Sequence, residues 1–420
     1  MIKVVVIGGG WSGCAAAISA VRAGGQVTLL ERTDMLLGTG LVGGIMRNNG
    51  RFTAAEEMTA MGGGDLFQIC DSNARHRDIS FPGHRHATLY DIVKTHGEVY
   101  NLLIQLGVNI VFLSRVKNIS INDNSIHAVR DEQEREFQGD VFIDATGTAG
   151  PQANCIRYGN GCAMCILRCP SFGGRVSISG LAGINEINAT RFNGQVGAMS
   201  GSCKLNKESL SEEIQQQLEE KGVVIIPLPE ERKQDHLSIK VCQQYNIPAF
   251  KDNIVLLDTG HAKIMTPFFT LEGLRKIPGF ENVRYEDPYS GGKGNSMRFF
   301  AISPIDNTLR VQGVDNLFCC GEKAGLVGHT EAISTGTLAG YNSVRHASGR
   351  KLLVLPPQLA VGDIISYTID AMKADKGTNN QFTFSGSVYF ERMKRLGLYS
   401  TDVEEIRQKV KELGLTDIFS

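Results

Sequence analysis

Three glycines and an acid come first among the residues whose types and spacing could do chemistry. Gly8, Gly10 and Gly13 stand in G-x-G-x-x-G order, and Glu31 follows about twenty residues further on. Glycines so spaced suit a diphosphate. The first permits a tight strand-to-helix turn, the second lets phosphate approach the backbone, and the third lets helix and strand pack closely. Glu31 is placed to accept from ribose hydroxyls, and Arg32 beside it joins the expected cofactor residues. The second set is a cysteine run, Cys155, Cys162, Cys165 and Cys169, followed by Pro170. Its C-x2-C-x3-C-P portion has the spacing of part of a ferredoxin ligand run, but Cys155 is wrongly spaced for the usual fourth ligand. Three readings stay open: buried thiols, a redox-active or nucleophilic thiol near the cofactor (Cys165 or Cys169), and an iron–sulfur cluster. No metal is assigned to the run. His84 and His86 also lack a carboxylate or cysteine at zinc-ligand spacing.

The elements that must position these residues follow from the hydrophobic pattern. Ile2–Ile7 and Gln26–Leu30 read as strands buried on both faces, with a small-residue helix from Cys14 to Ala23 between them. The loop 35–50 carries Gly38, Gly40, Gly43 and Gly44, and its apolar residues argue for a buried course beneath the cofactor. Helices are expected over Thr53–Met61 and Leu89–Leu106, a strand over Val108–Leu113, and then a small antiparallel meander. Two returns to the first sheet follow, one ending in Ala145-Thr146-Gly147 and one entering Gly321-Glu322. A simple NAD domain does not need both. FAD does, because its flavin end must reach a second helix N-terminus near Gly336. In such a fold the backbone near Val116 receives the adenine.

Composition permits this without adding to it. The net charge of −1 gives no overall footprint for nucleic acid, and no apolar run reaches the length of a membrane span. A strand starting at residue 2 leaves no room for a signal peptide, so a cytoplasmic protein with reduced thiols is expected. Arg75, His76, Arg77, His84, Arg85 and His86 crowd together, as an anion site or a solvated basic loop. Further expectations are a strand at Arg175–Ser179, capping boxes at Ser209/Glu212 and Thr401/Glu404, and a mobile loop over the active site at Ser290–Gly294.

The glycines, Glu31, the Ala-Thr-Gly strand and the late strand–helix together resemble the glutathione-reductase-type FAD fold. A closer resemblance lies in the last third, in Ile277-Pro-Gly-Phe-Glu-Asn-Val283, Ser303-Pro304, Gly328-His-Thr-Glu331 and Gly336-Thr-Leu-Ala-Gly340-Tyr-Asn342. This series resembles the glucose-inhibited division protein A family and the related FAD- and folate-dependent tRNA uridine methyltransferases. The resemblance implies an α/β protein: a Rossmann-like βαβ FAD domain with a β-meander, an inserted α+β substrate domain, and a C-terminal helical segment. The expected boundaries are 1–172, 173–295, 296–346 and 347–420. It implies cofactor contacts at Gly43, Val116, Ala145, Thr146, Gly147, Gly321, Glu322, Gly328, Glu331, Thr335 and Gly336. Cys165, Cys169 and Glu331 are the expected catalytic residues.

The expected activity is an FAD-dependent oxidoreductase, its flavin reduced by NAD(P)H or another donor and reoxidised by an unidentified substrate; a small-molecule substrate or reductant, a homodimer and no membrane are the expected partners. Alternatives are tRNA uridine modification, iron–sulfur electron transfer, and a non-catalytic FAD-stabilised scaffold. The long family members carry a cysteine in the early glycine loop, and the short ones Cys-Asn. Here Gly38, Thr39 and Gly40 stand there instead.

Overall fold

The computed structural model describes residues 1–147, 174–190, 198–199, 203–235, 237, 247–265, 269–286, 297–298, 300–375 and 382–420. β1 (Lys3–Ile7) is a Val/Ile run buried from its second residue onward, as suits a strand covered on both faces. It turns into α1 (Trp11–Arg22), whose alanines leave room for close neighbours, and the chain returns as β2 (Gln26–Leu30). α2 (Gly50–Ala60), the hairpin β3 (Ala74–Phe81) and β4 (His84–Tyr90), and α3 (Ile92–Gln105) follow, then β5 (Asn109–Val111). The expected helix from Leu89 begins only at Ile92. Asp91 caps it, accepting from Val93 N and Lys94 N, while Leu89 and Tyr90 pair in the hairpin. The meander is β6 (Val116–Asn122), β7 (Ser125–Asp131) and β8 (Glu136–Gln138), and β9 (Val141–Asp144) re-enters the main sheet.

The segment from Arg175 corrects an expected strand. Ser177 accepts from Gly180 N and starts a helical turn at Ile178–Leu181. Val176 and Ile178 belong to the main core, so the inserted unit has a core of its own only from Cys203. That unit comprises β10 (Cys203–Leu205), α4 (Glu212–Lys221), β11 (Val223–Pro227), β12 (Asn253–Asp258) and β13 (Ala262–Ile264). Ser211, not Ser209, caps α4, and Gly222 ends it in the left-handed conformation. Its antiparallel sheet has the order β10–β13–β12–β11. One face (Leu205, Ile254, Leu256, Ala262, Ile264) packs on Ile214 and Leu218 of α4. The other (Val255, Leu257, with Met265) packs on Ile45, Phe81, Ala87 and Leu89 of the first unit. Strand alternation sets the two faces.

β14 (Leu317–Cys319) completes the parallel sheet in the order β14–β9–β1–β2–β5, with Val6 opposite Leu29 and Ile143. α5 (His329–Ala347) then crosses α1 at backbone contact. A methyl group on Gly336 would lie 2.2 Å from Ser12 O, and one on Gly340 2.2 Å from Ala16 O. The C-terminal segment, α6 (Ala360–Asp375), α7 (Ser387–Arg395) and α8 (Val403–Glu412), contributes Val361, Ile364, Tyr389 and Val410 to the same core. Asp402, one residue beyond the expected Thr401, caps α8. Among the described residues no helix is long and apolar enough to cross a membrane.

Glu57 ties α2 to this segment, accepting from Ala360 N at 2.8 Å and Val361 N at 3.0 Å. Burial pushes its carboxyl up from 4.5 to about 7. The folded state therefore holds the proton more tightly than the unfolded chain. The associated stability is complete below pH 4.5 and is lost as pH rises through 7, by about 3 kcal/mol. Relative to wild type, Glu57→Gln should gain about that much between pH 4 and pH 8 in urea unfolding. Parallel pH profiles for the two proteins would contradict the assignment.

Candidate functional site

The β1–α1 turn has the shape of a diphosphate cradle. Gly8 has φ +105°, and a methyl group there would sit 2.4 Å from Ala145 O. A methyl on Gly13 would sit 1.8 Å from Gly8 O. Protein packing therefore demands glycine at both positions. Gly10 is different. Its φ is −70°, which any residue adopts, and a methyl there would meet nothing nearer than Leu37 O at 4.0 Å. Space that the protein leaves open here suits a ligand approaching the backbone. α1 has no side-chain cap and no acid in its first turn, so its unpaired N–H groups and dipole are left for an anion.

At the end of β2, the Glu31 carboxylate accepts from Gly9 N (2.8 Å), Thr33 N (2.8 Å) and Thr33 Oγ1 (2.9 Å). These bonds fix its orientation and leave lone pairs for ribose hydroxyls. Arg32 is half-buried beside it. The cradle and Glu31 fit the diphosphate and ribose of FAD.

β9 delivers Ala145, Thr146 and Gly147 to the same end of the sheet. Asp144 accepts from Thr146 N and Oγ1, and from Ile178 N and Ser179 N, at 2.6–3.1 Å. A methyl on Gly147 (φ +76°) would lie 3.1 Å from Arg175 Nη1 and 3.9 Å from Glu322 Oε2. Val116 is buried at the start of β6, paired with Asp131.

The late helix is more structural than its motif suggested. Gly321 N donates to Thr335 Oγ1 at 2.9 Å, and Gly336 lies against α1. Both residues thus have packing reasons for their identity. Glu331, expected at the chemistry, is fully buried and engaged on both oxygens: Arg51 Nε at 3.1 and 3.2 Å, Thr383 Oγ1 at 2.6 Å and Phe384 N at 2.8 Å. These bonds anchor the first turn of α5. Gly328 (φ +138°) has no room for a side chain between Glu331 and Arg51.

Cys155, Cys162, Cys165 and Cys169 lie outside the described residues, as does the loop 290–294. Among the described residues no cluster of potential ligands could hold a metal ion. Cys14 and Cys320 are buried, and burial pushes their thiols up to about 12, far from the thiolate form.

Most side chains of the basic hairpin are occupied internally. Arg75 Nε (2.9 Å), His76 Nε2 (3.0 Å) and Lys207 Nζ (3.1 Å) converge on buried Asp258. His84 Nδ1 lies 2.9 Å from Asn48 Nδ2 with its ring stacked on Phe81, and His86 lies 2.9 Å from Asp78.

The glycine loop draws the separate elements together. A methyl on Gly40 would lie 2.3 Å from Trp11 Nε1, one on Gly43 2.0 Å from the His329 ring, and one on Gly44 (φ +92°) 2.4 Å from Thr259 Cγ2. Lys263 Nζ donates to Val42 O. Tyr90 OH lies 3.4 Å from His329 Nδ1, and the Trp11 ring centroid is 5.9 Å from that of His329. Trp11, Tyr90, Arg175 and Lys263 did not stand out in the sequence. Lys263 lies inside a three-residue strand between Leu257 and Lys204, and nothing local marks it.

Comparison with known proteins gives a consistent outcome. The sequence model of the family described as "Glucose inhibited division protein A" matches residues 3–252 and 262–351. A tRNA uridine 5-carboxymethylaminomethyl modification enzyme of Chlorobaculum tepidum is 32% identical over 139 residues, 33% of this chain and 22% of the relative. A methylenetetrahydrofolate–tRNA-(uracil-5-)-methyltransferase of Dictyoglomus thermophilum is 32% identical over 93 residues, 22% of this chain and 21% of the relative. The matched stretch is thus about a fifth of each relative's length. The structure of Aquifex aeolicus GidA superposes with a TM-score of 0.67 at 16% identity, covering 98% of this chain and 76% of that one.

Proposed function

The chain belongs to the glucose-inhibited division protein A family, and from that premise we propose that it is an FAD-dependent enzyme modifying a uridine of tRNA. FAD, when bound, supplies the electron or hydride transfer. Gly8, Gly10 and Gly13 hold the diphosphate, Glu31 orients the ribose, and the Gly40–Gly44 loop with Trp11, His329 and Lys263 forms the floor and walls at the reacting end. NAD(P)H is the proposed reductant. A methylene donor of the folate type is taken from the name of the methyltransferase relatives. The single observation that carries the cofactor assignment is the open space at Gly10, a glycine that the protein's own packing does not require.

A second reading keeps FAD but exchanges tRNA for a small molecule. It is supported by Gly38-Thr39-Gly40, where the loop carries no thiol, and by the pairing of Arg75, His76 and Lys207 to Asp258. One experiment separates the two. The holoprotein is incubated with unmodified tRNA, NADH or NADPH and methylenetetrahydrofolate, and the nucleosides are analysed by mass spectrometry. Modified uridine, with tRNA binding that weakens steeply as salt rises, is expected. Reductant oxidation that neither needs nor alters tRNA would replace this reading with the second.

A further inference from the structure

Lys263 is the feature that packing does not explain. β13 lies between β10 and β12, and alternation puts Ala262 and Ile264 into the core shared with α4. Lys263 pairs with Leu257, on the face that meets the first unit through Val255, Leu257, Met265, Ile45 and Leu89. An apolar side chain is what such a seam calls for. Instead a lysine only 5% exposed reaches through it to Val42 O in the glycine loop.

That carbonyl uses one of the three donors an ammonium offers. Among the described residues no carboxylate lies within ion-pair distance of Nζ. The ionisable neighbours that act on it are Cys203 and Lys204, the latter of the same sign. His329 lies against the next residue of the loop, Gly43. A buried cation with no counter-charge is costly, and burial brings its pKa down from 10.5 to about 7.

We infer that Lys263 is the cation of the reaction centre, supplied by the inserted unit to receive negative charge that develops on the flavin at the Gly40–Gly44 loop. The inference rests on the FAD reading above. Val42 O directs the ammonium, and the seam keeps water from screening it, so an arriving anion meets a strong local field. The apolar surroundings that depress the free amine are the same ones that reward its protonation when an anion is present.

The test is a sulfite titration of the FAD-loaded protein. Sulfite adds through its lone pair to the flavin ring. One N–S bond forms, the displaced electron pair leaves the ring anionic, and the visible flavin band bleaches. No further oxidant or reductant takes part. Lys263→Met keeps length and apolar packing and should melt no lower than wild type. It should bind sulfite at least about tenfold more weakly at pH 6, a difference of about 1.4 kcal/mol. Lys263→Arg should stay within about threefold of wild type. The ratio between Met variant and wild type should shrink towards pH 9, where free Nζ has lost its proton. Equal sulfite affinity in FAD-loaded wild type and Lys263→Met would overturn the inference, as would a wild type that holds FAD and does not bleach. Failure of wild type to hold FAD would instead overturn the cofactor reading beneath it.

Discussion

Replacing Glu331 by alanine should cost about 3–5 kcal/mol of stability, because it removes the buried carboxylate that pairs with the buried Arg51 guanidinium. Thr383 Oγ1 and Phe384 N lose this acceptor in the same step, and each lost bond adds to the cost. The geometry makes Glu331 a three-way junction: α2 supplies Arg51, α5 supplies the acid, and the segment before α7 supplies Thr383 and Phe384. Urea unfolding measures the effect. Arg51→Met combined with Glu331→Leu should recover a good part of the loss, since both members of the buried pair are then replaced together. A loss below about 1 kcal/mol for Glu331→Ala would place the pair among ordinary surface ion pairs and contradict the junction.

The second large effect separates two glycines of one motif. Gly13→Ala sets a methyl 1.8 Å from Gly8 O, a backbone atom that cannot rotate away. The turn must shift, with a cost expected at about 3 kcal/mol, and cofactor binding should fall with it. Gly10→Ala meets nothing nearer than 4.0 Å and needs no unusual φ. Its stability should equal or exceed wild type by a few tenths to about 1 kcal/mol, through the lower entropy of the unfolded chain. FAD affinity should nevertheless fall at least about tenfold, because the methyl occupies the approach of the diphosphate. Thermal melts with and without FAD distinguish the two variants. Equal destabilisation would mean that Gly10, like Gly13, serves packing alone.

Legibility in the sequence tracked how local each determinant is. The β1–α1–β2 unit was readable because strand, glycines, helix and acid occur in one run whose chemistry is backbone chemistry. The meander was readable from turns and alternation. Helix starts lie one to three residues beyond the expected ones, where Asp91, Ser211 and Asp402 supply the caps. Arg175–Ser179 has strand-like composition, yet Ser177 and the carboxylate of Asp144 capture its N–H groups and turn it into a helix.

The partners of Glu331 were not legible in the sequence. Its partner Arg51 and the Thr383–Phe384 segment are far away in sequence, and burial of that pair is a tertiary fact. Lys263 was illegible for the same reason. The face a strand residue presents depends on its partner strand, and the unit against which that face packs lies some two hundred residues upstream.

Trp11, the chain's single tryptophan, is buried in the first turn of α1 between Tyr90 and His329. The central claim is therefore most directly tested by adding FAD to the flavin-free protein while following Trp11 fluorescence. Saturable quenching at one FAD per chain is expected in wild type, and at least about tenfold weaker quenching in Gly10→Val with its circular dichroism unchanged. Wild-type fluorescence indifferent to FAD, with no flavin retained on the protein, would contradict the account. So would a Gly10→Val variant that binds FAD as tightly as wild type.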